Sequence, residues 1–329
     1  MKNPSIRVKL IARGKASQAW ARQSKNNSGL LNNCQFIFNL DETDYDWLVV
    51  IDDTSRQYRA QPTTLECADE HTLLVTSEPP TITRYGKSFC SQFAHVLTSQ
   101  PQSELPHPRR IYSQTGNKWF NGHNFDELTT APVPVKTKTL STVCSSKQQK
   151  NTIHDDRYQF TQWLRQKIPA MDLFGRGENY VKHKYEALDA YKFHLAIENH
   201  IGLHHWTEKL SDPYLSNCIP IYYGCPNISD YFPKDSYIPI DIYKPEEALE
   251  TIRRTIEDPD EYSKRYDALQ QARNLVLYHY NLLTVLDRLI PQHFDPSRKI
   301  HNKRLYGRKQ MRLRRPGDLF NYILWNIRK

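Results

Sequence analysis

Short apolar runs rich in β-branched residues punctuate the first third of the chain. They are IRVKLIA at 6–12, QFIFN at 35–39, WLVVI at 47–51 and TLLVT at 72–76, and the series continues at 94–98 and 110–112. Polar or helix-patterned connections separate them. Strands alternating with longer connections predict a parallel α/β sheet, which places a Rossmann-like first domain at 1–133. Residues 131–138, APVPVKTK, interrupt regular structure with two prolines and read as a linker. The pattern then restarts with a strand at 139–144, the polar stretch SSKQQKNTIHDD, and a helix at 157–167. In and just after that helix, Phe160, Trp163, Leu164 and Ile168 fall at helical spacing. Further strands are predicted at 171–174, running into Gly175, Arg176 and Gly177, and at 191–197, 219–223 and 237–242. Pro245 with Glu246 and Glu247 suits the first turn of a helix. One long helical stretch is predicted over 259–290. These elements make a second α/β domain at 134–290, followed by a tail at 291–329.

Length and composition agree with two packed domains: 329 residues, 38% of them hydrophobic, 12% aromatic, with 20 prolines. Aromatic abundance suits sugar binding, although an ordinary core is the plainer reading of any single ring. No apolar stretch approaches the roughly 18–20 residues that span a bilayer, and the start of the chain does not read as a signal peptide. A cytoplasmic protein, soluble or peripheral on the inner face of the membrane, is expected. The six cysteines form no CxxC pair, and Cys218 and Cys225 flank an apolar run, so buried thiols in a reducing compartment are expected. The formal charge of +9 is unevenly placed: residues 298–329 hold eleven basic residues against Asp318 alone, which leaves the body near −1.

The segment 191–226, YKFHLAIENHIGLHHWTEKLSDPYLSNCIPIYYGCP, concentrates the candidate chemistry. It reads as strand, polar loop, short helix, strand and glycine turn. Glu198 and Asn199 stand at the carboxyl edge of the first strand, where open α/β sheets bind ligands, and Glu208 and Lys209 follow before the next strand. A nucleotide-sugar needs a carboxylate for ribose hydroxyls and a cation for its diphosphate, and this segment supplies both. Each residue also has a plainer reading: a strand terminus with an Asn turn for Glu198 and Asn199, and a solvated helix start capped by Thr207 for Glu208 and Lys209. Arg157 opens a helix, where a cation opposes the helix dipole unless it faces a phosphate; a surface Arg paired with Asp155 or Asp156 is the alternative. Glu78 in VTSEPP, at a strand end stiffened by two prolines, suits a general base, or simply a loop acid before a rigid turn.

Other chemistries lack their residues. Asp44 and Asp46 form a DxD triplet, but at the amino end of a strand, and Asp52–Asp53 at a carboxyl end has no evident partner. The thirteen histidines show no HExxH or HxH pattern, so no metal is expected. There is no GxGxxG, Walker A or GxSxG motif, which disfavours hydride transfer, kinase chemistry and serine hydrolysis.

YKFHLAIEN, WTEKLSDPYLSNCIPIYYGCP, Tyr231-Phe-Pro and SYIPI together resemble the donor-binding signature of the α1,3/1,4-fucosyltransferases, bacterial type. Ile197 replaces the family's usual Phe, and His205 stands where the bacterial members have Tyr. SEPP and FGRG with the following YVKHK are similar to further family segments. The resemblance implies a GT-B fold, two Rossmann-like domains facing a cleft, and an inverting, GDP-fucose-dependent transferase needing no cofactor or metal. It implies that the acceptor is a glycan, an oligosaccharide or lipid-linked, receiving fucose at O3 or O4 of GlcNAc or Glc. By the same resemblance, Glu78 is the general base, Glu208 contacts ribose, Lys209 and Arg157 neutralise the diphosphate, and Asn199, Glu198 and His205 line the donor pocket. The alternatives are a transferase using another GDP-sugar and a non-catalytic carbohydrate- or nucleotide-binding protein.

The basic block 298–315 adjoins LFNYILWNI, where Leu319, Phe320, Ile323, Leu324 and Ile327 share a helical face. A basic amphipathic tail on an anionic membrane surface is expected, with a terminal helix docked on the body as the alternative. No nucleic-acid module accompanies the charge, so nucleic acid is not an expected partner.

Overall fold

The computed structural model describes residues 5–12, 14–54, 61–116, 118–145, 152–175 and 177–328. Arg176 of the expected glycine loop, residues 146–151 of the polar stretch, the first four residues and Lys329 lie outside them. The chain divides into two compact units. The first comprises Met1–Gly116, Asn124–Asp126 and Asn281–Lys329, and the second Asn117–His123 and Glu127–Tyr280.

In the first unit, β1 (Ile6–Ala12), β2 (Cys34–Ile37), β3 (Trp47–Ile51), β4 (Thr63–Thr64), β5 (Thr72–Thr76), β6 (His95–Thr98) and β7 (Arg110–Tyr112) follow in order. All but β4 form one sheet, ordered β2-β1-β3-β5-β6-β7 and parallel at every pairing. Every residue of β3 and β5 is buried, as expected of parallel strands covered on both faces; this is why they read as unbroken apolar runs. Leu10, Val49 and Leu73 stand in register across three strands and face one core, while Leu48, Val50 and Leu74 face another.

The second unit holds β8 (Lys138–Val143), β9 (Asp172–Phe174), β10 (Tyr191–Ile197), β11 (Ile219–Tyr223) and β12 (Ile238–Pro239). They form a parallel sheet ordered β12-β11-β10-β8-β9. From β8 the chain passes to β9 on one side, then to β10 on the other. The carboxyl ends of β8 and β10 therefore flank the point where strand order reverses, the usual ligand crevice of doubly wound sheets. The helices His154–Lys167, Glu208–Leu215, Pro245–Glu257 and Tyr266–Tyr278 complete this unit.

The helical stretch expected at 259–290 is not continuous. It is divided into Glu261–Lys264, Tyr266–Tyr278 and Leu282–Leu289, and at Asn281 the chain returns to the first unit. Asn281 caps the last of these helices, its Oδ1 accepting from the Leu283 N–H at 3.1 Å, and its Nδ2 donates to the Gln23 carbonyl at 2.6 Å. Leu282, Leu283, Leu286 and Ile290 are fully buried in the β1–β3–β5 core, each worth about 1.5–3 kcal/mol by burial. The buried Asp287 accepts from the N–H groups of Asn33 and Cys34, both at 2.9 Å. An unbroken apolar rhythm concealed this change of unit.

Residues 291–329 differ from a separate tail. Strand β13 (Arg304–Leu305) pairs antiparallel with β4, and Leu305 and Met311 are buried against the other face of the first sheet. The Arg308 N–H and Nε donate to Asp53 at 3.0 and 3.1 Å. The partner missing for Asp53 in the local sequence thus comes from 255 residues away. Helix Pro316–Arg328 ends the chain with Phe320, Ile323 and Ile327 exposed. No described helix is long and apolar enough to cross a membrane.

Candidate functional site

The site is built where β10 ends. Glu198 is fully buried, and both its oxygens are used by one residue: Oε1 accepts from the Thr207 N–H at 2.8 Å and Oε2 from Thr207 Oγ1 at 2.6 Å. Thr207 in turn caps helix Glu208–Leu215, its hydroxyl accepting from the Lys209 N–H. Burial holds the Glu198 carboxyl above its ordinary range. Gly224 is required beside it: a Cβ there would stand 2.4 Å from Glu198 Cγ and 2.5 Å from Tyr222 Oη. The glycine turn after β11 is therefore a close approach to a buried carboxylate.

Helix Glu208–Leu215 then presents its first turn. Lys209 Nζ donates to Glu208 Oε1 at 3.0 Å and stands 3.8 Å from Glu198 Oε2. Burial works against the Lys209 charge, but Glu208 and Glu198 outweigh it and leave the ammonium more basic than usual. Burial likewise opposes the Glu208 charge, yet Lys209 and Lys184 hold its carboxyl down to about 2. Glu208 is ionised and its side chain is a quarter exposed.

Lys184, which sequence reasoning missed, donates to Asp212 Oδ2 at 2.9 Å and to the Glu208 carbonyl at 3.3 Å. Its signal was the YVKHK run, whose last residue opens the turn Lys184–Ala187. Asp212 is fully buried, and burial pushes its carboxyl up to about 6 despite Lys184.

Arg157 is the fourth residue of helix His154–Lys167 and is buried, not a surface cation paired with Asp155 or Asp156. Its Nη1 reaches only the Ile197 carbonyl, at 3.5 Å, and among the described residues its Nε has no hydrogen-bond partner. Arg157, Lys184 and Lys209 line a crevice with Thr142, Cys144 and Ile197, between the ends of β8 and β10. A buried guanidinium costs several kcal/mol when it lacks a counter-charge, and among the described residues no carboxylate pairs with Arg157.

Asn199 lies at the same strand end, and its buried Oδ1 has no partner among the described residues. His205 is buried, and burial holds its imidazole down to about 3. It is neutral at physiological pH. Arg157, Asn199, His205, Glu208 and Lys209 thus belong to one unit and one sheet edge. Glu198 differs from the role expected of it: with both oxygens on Thr207, it positions the helix cap and offers no free carboxylate to a ligand.

Glu78 belongs to the first unit, half-buried just beyond the carboxyl end of β5. Its N–H donates to Tyr85 Oη at 3.3 Å and its carbonyl accepts from Gln100 Nε2 at 2.8 Å, so its backbone is fixed. The neighbouring Asp52 accepts from the Ser77 N–H at 2.8 Å and from Ser77 Oγ and Tyr85 Oη, each at 2.5 Å. The discounted DxD is structural: Asp46 Oδ2 accepts from the Arg7 N–H at 2.8 Å. All six cysteines are buried free thiols. Among the described residues no three His, Cys, Asp or Glu side chains converge as metal ligands.

Residues 133–280 match the family model described as glycosyltransferase family 10 (fucosyltransferase) C-term. An alpha-(1,3)-fucosyltransferase of Helicobacter pylori is 40% identical over 74 residues, which is 22% of this chain and 16% of that protein. The match thus spans about a sixth of that curated relative's length. Among solved structures, a crystal structure of an alpha1,3-fucosyltransferase superposes with a TM-score of 0.55 at 19% identity, covering 92% of this chain and 93% of that one. A second, of an alpha1,3-fucosyltransferase with GDP-fucose, gives 0.51 at 18% identity, with 92% and 94% covered. At these identities the likeness establishes the fold, the α/β GT-B type.

Proposed function

We propose, for a chain whose residues 133–280 match the model described as glycosyltransferase family 10 (fucosyltransferase) C-term, that it transfers L-fucose from GDP-fucose to a hydroxyl of a cell-surface glycan, at O3 or O4 of GlcNAc or Glc. The observation that carries this reading is the buried Arg157, with its unpartnered Nε, at the switch point beside Lys209. A nucleoside diphosphate supplies the missing anion.

In this reading the acceptor hydroxyl attacks the anomeric carbon on the face opposite GDP, and Glu78 takes its proton. The bond from that carbon to the β-phosphate oxygen breaks with inversion, and its electron pair leaves on the diphosphate. Arg157 and Lys209 neutralise the departing charge, an electrostatic contribution that needs no metal. Glu208, ionised and partly exposed, accepts from the ribose hydroxyls. Asn199 lines the pocket with its buried Oδ1, and neutral His205 contributes a hydrogen bond without charge.

GDP-fucose turnover across a panel of glycan acceptors, with GDP-mannose as control, tests the reading. Transfer from GDP-fucose alone supports it; transfer from GDP-mannose alone, or from neither, overturns it. A peripheral position on an anionic membrane also belongs to this proposal. It is supported by the exposed Phe320, Ile323 and Ile327 beside the basic residues at 308–315. Vesicle flotation of a chain with these three side chains changed to Asn checks it: unchanged binding contradicts the anchor.

A further inference from the structure

The Glu78 loop is one end of a buried network within the first unit. Its other end is Asp52, which follows β3 at the carboxyl edge of the sheet and is 8% exposed. The φ of Asp52 is 65°, in the left-handed region that a non-glycine residue occupies only at a cost. Such strain persists where the surroundings over-determine it, and it gathers at functional loops. Here the surroundings are β5 and the residues just beyond it. The Asp52 N–H donates to the Val75 carbonyl at 2.9 Å. Asp52 Oδ1 accepts from the Ser77 N–H at 2.8 Å and from Tyr85 Oη at 2.5 Å, and Oδ2 accepts from Ser77 Oγ at 2.5 Å.

Tyr85 carries the network to Glu78. Its hydroxyl gives its one proton to Asp52 and accepts from the Glu78 N–H at 3.3 Å. The Tyr85 ring is buried, with the Arg308 guanidinium 5.1 Å from its centroid, and Arg308 is itself fixed on Asp53 at 3.1 Å. Gln100 holds the Glu78 carbonyl at 2.8 Å, and Pro79 and Pro80 restrict the backbone that follows. One carboxylate thus grips the residue before Glu78 twice and, through one hydroxyl, the N–H of Glu78 itself. Packing alone does not call for an acid here. A buried carboxylate is costly to desolvate, and the adjacent cation is spent on Asp53. Both Asp52 oxygens are already engaged, so Asp52 is not itself placed to take a proton from a substrate.

We propose that Asp52, acting through Ser77 and Tyr85, is the positioning residue that aims Glu78 as general base. The proposal rests on the transferase reading, with Glu78 as its base, and adds the group that holds that base in place. It also gives Arg308 a second purpose. Besides pairing with Asp53, this C-terminal residue covers the ring whose hydroxyl steadies Glu78.

The test is a double-mutant cycle in the full chain, read as transfer from GDP-fucose to the fastest acceptor of a glycan panel that includes N-acetyllactosamine and lactose. Glu78→Gln is expected to lose about 10²–10⁴-fold in kcat. Asp52→Asn is expected to lose on the order of ten- to a hundredfold. Its KM for GDP-fucose and its calorimetric affinity for GDP should stay at parent values, because the Arg157 crevice belongs to the other unit. Tyr85→Phe keeps the ring beside Arg308, removes only the hydroxyl, and should lose kcat in the same way. In the Glu78→Gln background neither substitution should reduce kcat further. That background separates aim from packing, since a purely structural loss would persist in it. Thermal melts check that each variant is folded, and if Asp52→Asn is not, Tyr85→Phe decides. Near-parent kcat in either folded variant, or an undiminished loss in the Glu78→Gln background, overturns the proposal while the transferase reading stands. Near-parent kcat in Glu78→Gln overturns the base assignment and the proposal together. If the parent transfers fucose to no acceptor of the panel, the transferase reading fails and the proposal falls with it.

Discussion

Glu198 Oε2 and Thr207 Oγ1 lie 2.6 Å apart, and through this bond the end of β10 sets the first turn of the helix that carries Glu208 and Lys209. The carboxylate is fully buried and acts on the ligand crevice through another residue. Glu198→Gln keeps one acceptor oxygen for the Thr207 N–H but forfeits a charge-assisted bond, worth about 1.5–3 kcal/mol. Lower thermal stability with weaker GDP binding is expected, measured by thermal melts and calorimetry. Unchanged values in both would remove Glu198 from the site's framework.

Gly224 tests the same contact from the other side. Its substitution by Ala puts a methyl group 2.4 Å from Glu198 Cγ, within the fully buried cluster. Overpacking of this kind costs about 1–3 kcal/mol. Gly224→Ala should melt earlier than the parent and lose donor affinity as Glu198 is displaced from Thr207. A melt at the parent temperature would contradict the close packing.

Lys209 and the transition state give a kinetic prediction. Removing a group that stabilises developing charge costs about 10²–10³-fold in kcat. Lys209→Ala should approach that loss, and the repulsion it leaves between Glu208 and Glu198 should also lower stability. Steady-state turnover with near-parent kcat would refute the role.

Asp212 supplies the pH dependence. Its folded value, about 6, lies above the ordinary carboxylate value because of burial. A raised carboxyl contributes stability that is complete below its unfolded value and is lost as pH rises through about 6. Protonation below that point also releases Lys184 from its 2.9 Å ion pair. GDP should therefore bind more tightly as pH falls from neutral through 6, and Asp212→Asn should flatten that profile. His205, held near 3 by burial, should leave no mark on it above pH 5. A profile with its inflection unchanged in Asp212→Asn would contradict the assignment.

The C-terminal segment is tested by stability. Leu286→Ala removes a fully buried side chain from the first core and should cost about 2–5 kcal/mol. Arg308→Gln leaves Asp53 buried without its charge partner, a loss of about 3–5 kcal/mol. Chemical denaturation measures both, and near-parent midpoints would contradict the packing of 281–329 into the first unit.

These results mark what could be read from the chain alone. The strands were legible because β3, β5 and β11 are buried on both faces, so their sequences are nearly continuous apolar runs, and β10 keeps that character despite Lys192 and His194. The placement of Arg157, Asn199, Glu208 and Lys209 at one end of the second sheet was legible because strand ends and helix starts fix where a side chain emerges. The break at Asn281 was not, because apolar spacing continues on both sides of it and only the Gln23 carbonyl and the first core explain the turn. The partner of Asp53 is 255 residues distant, beyond any local pattern. Glu198 looked like a ligand contact because sequence gives a residue's place on a strand but not whether its charge is already spent. Lys184 was missed for the converse reason: its role arises from Asp212 and Glu208, which lie on a helix more than twenty residues later.

The most direct measurement is calorimetric titration of the parent chain and Arg157→Gln with GDP and with guanosine. GDP should bind the parent far more tightly than guanosine does, and Arg157→Gln should lose on the order of tenfold or more in GDP affinity while guanosine binding is unchanged. Equal GDP affinity in the two proteins would contradict the claim that this buried guanidinium receives the diphosphate.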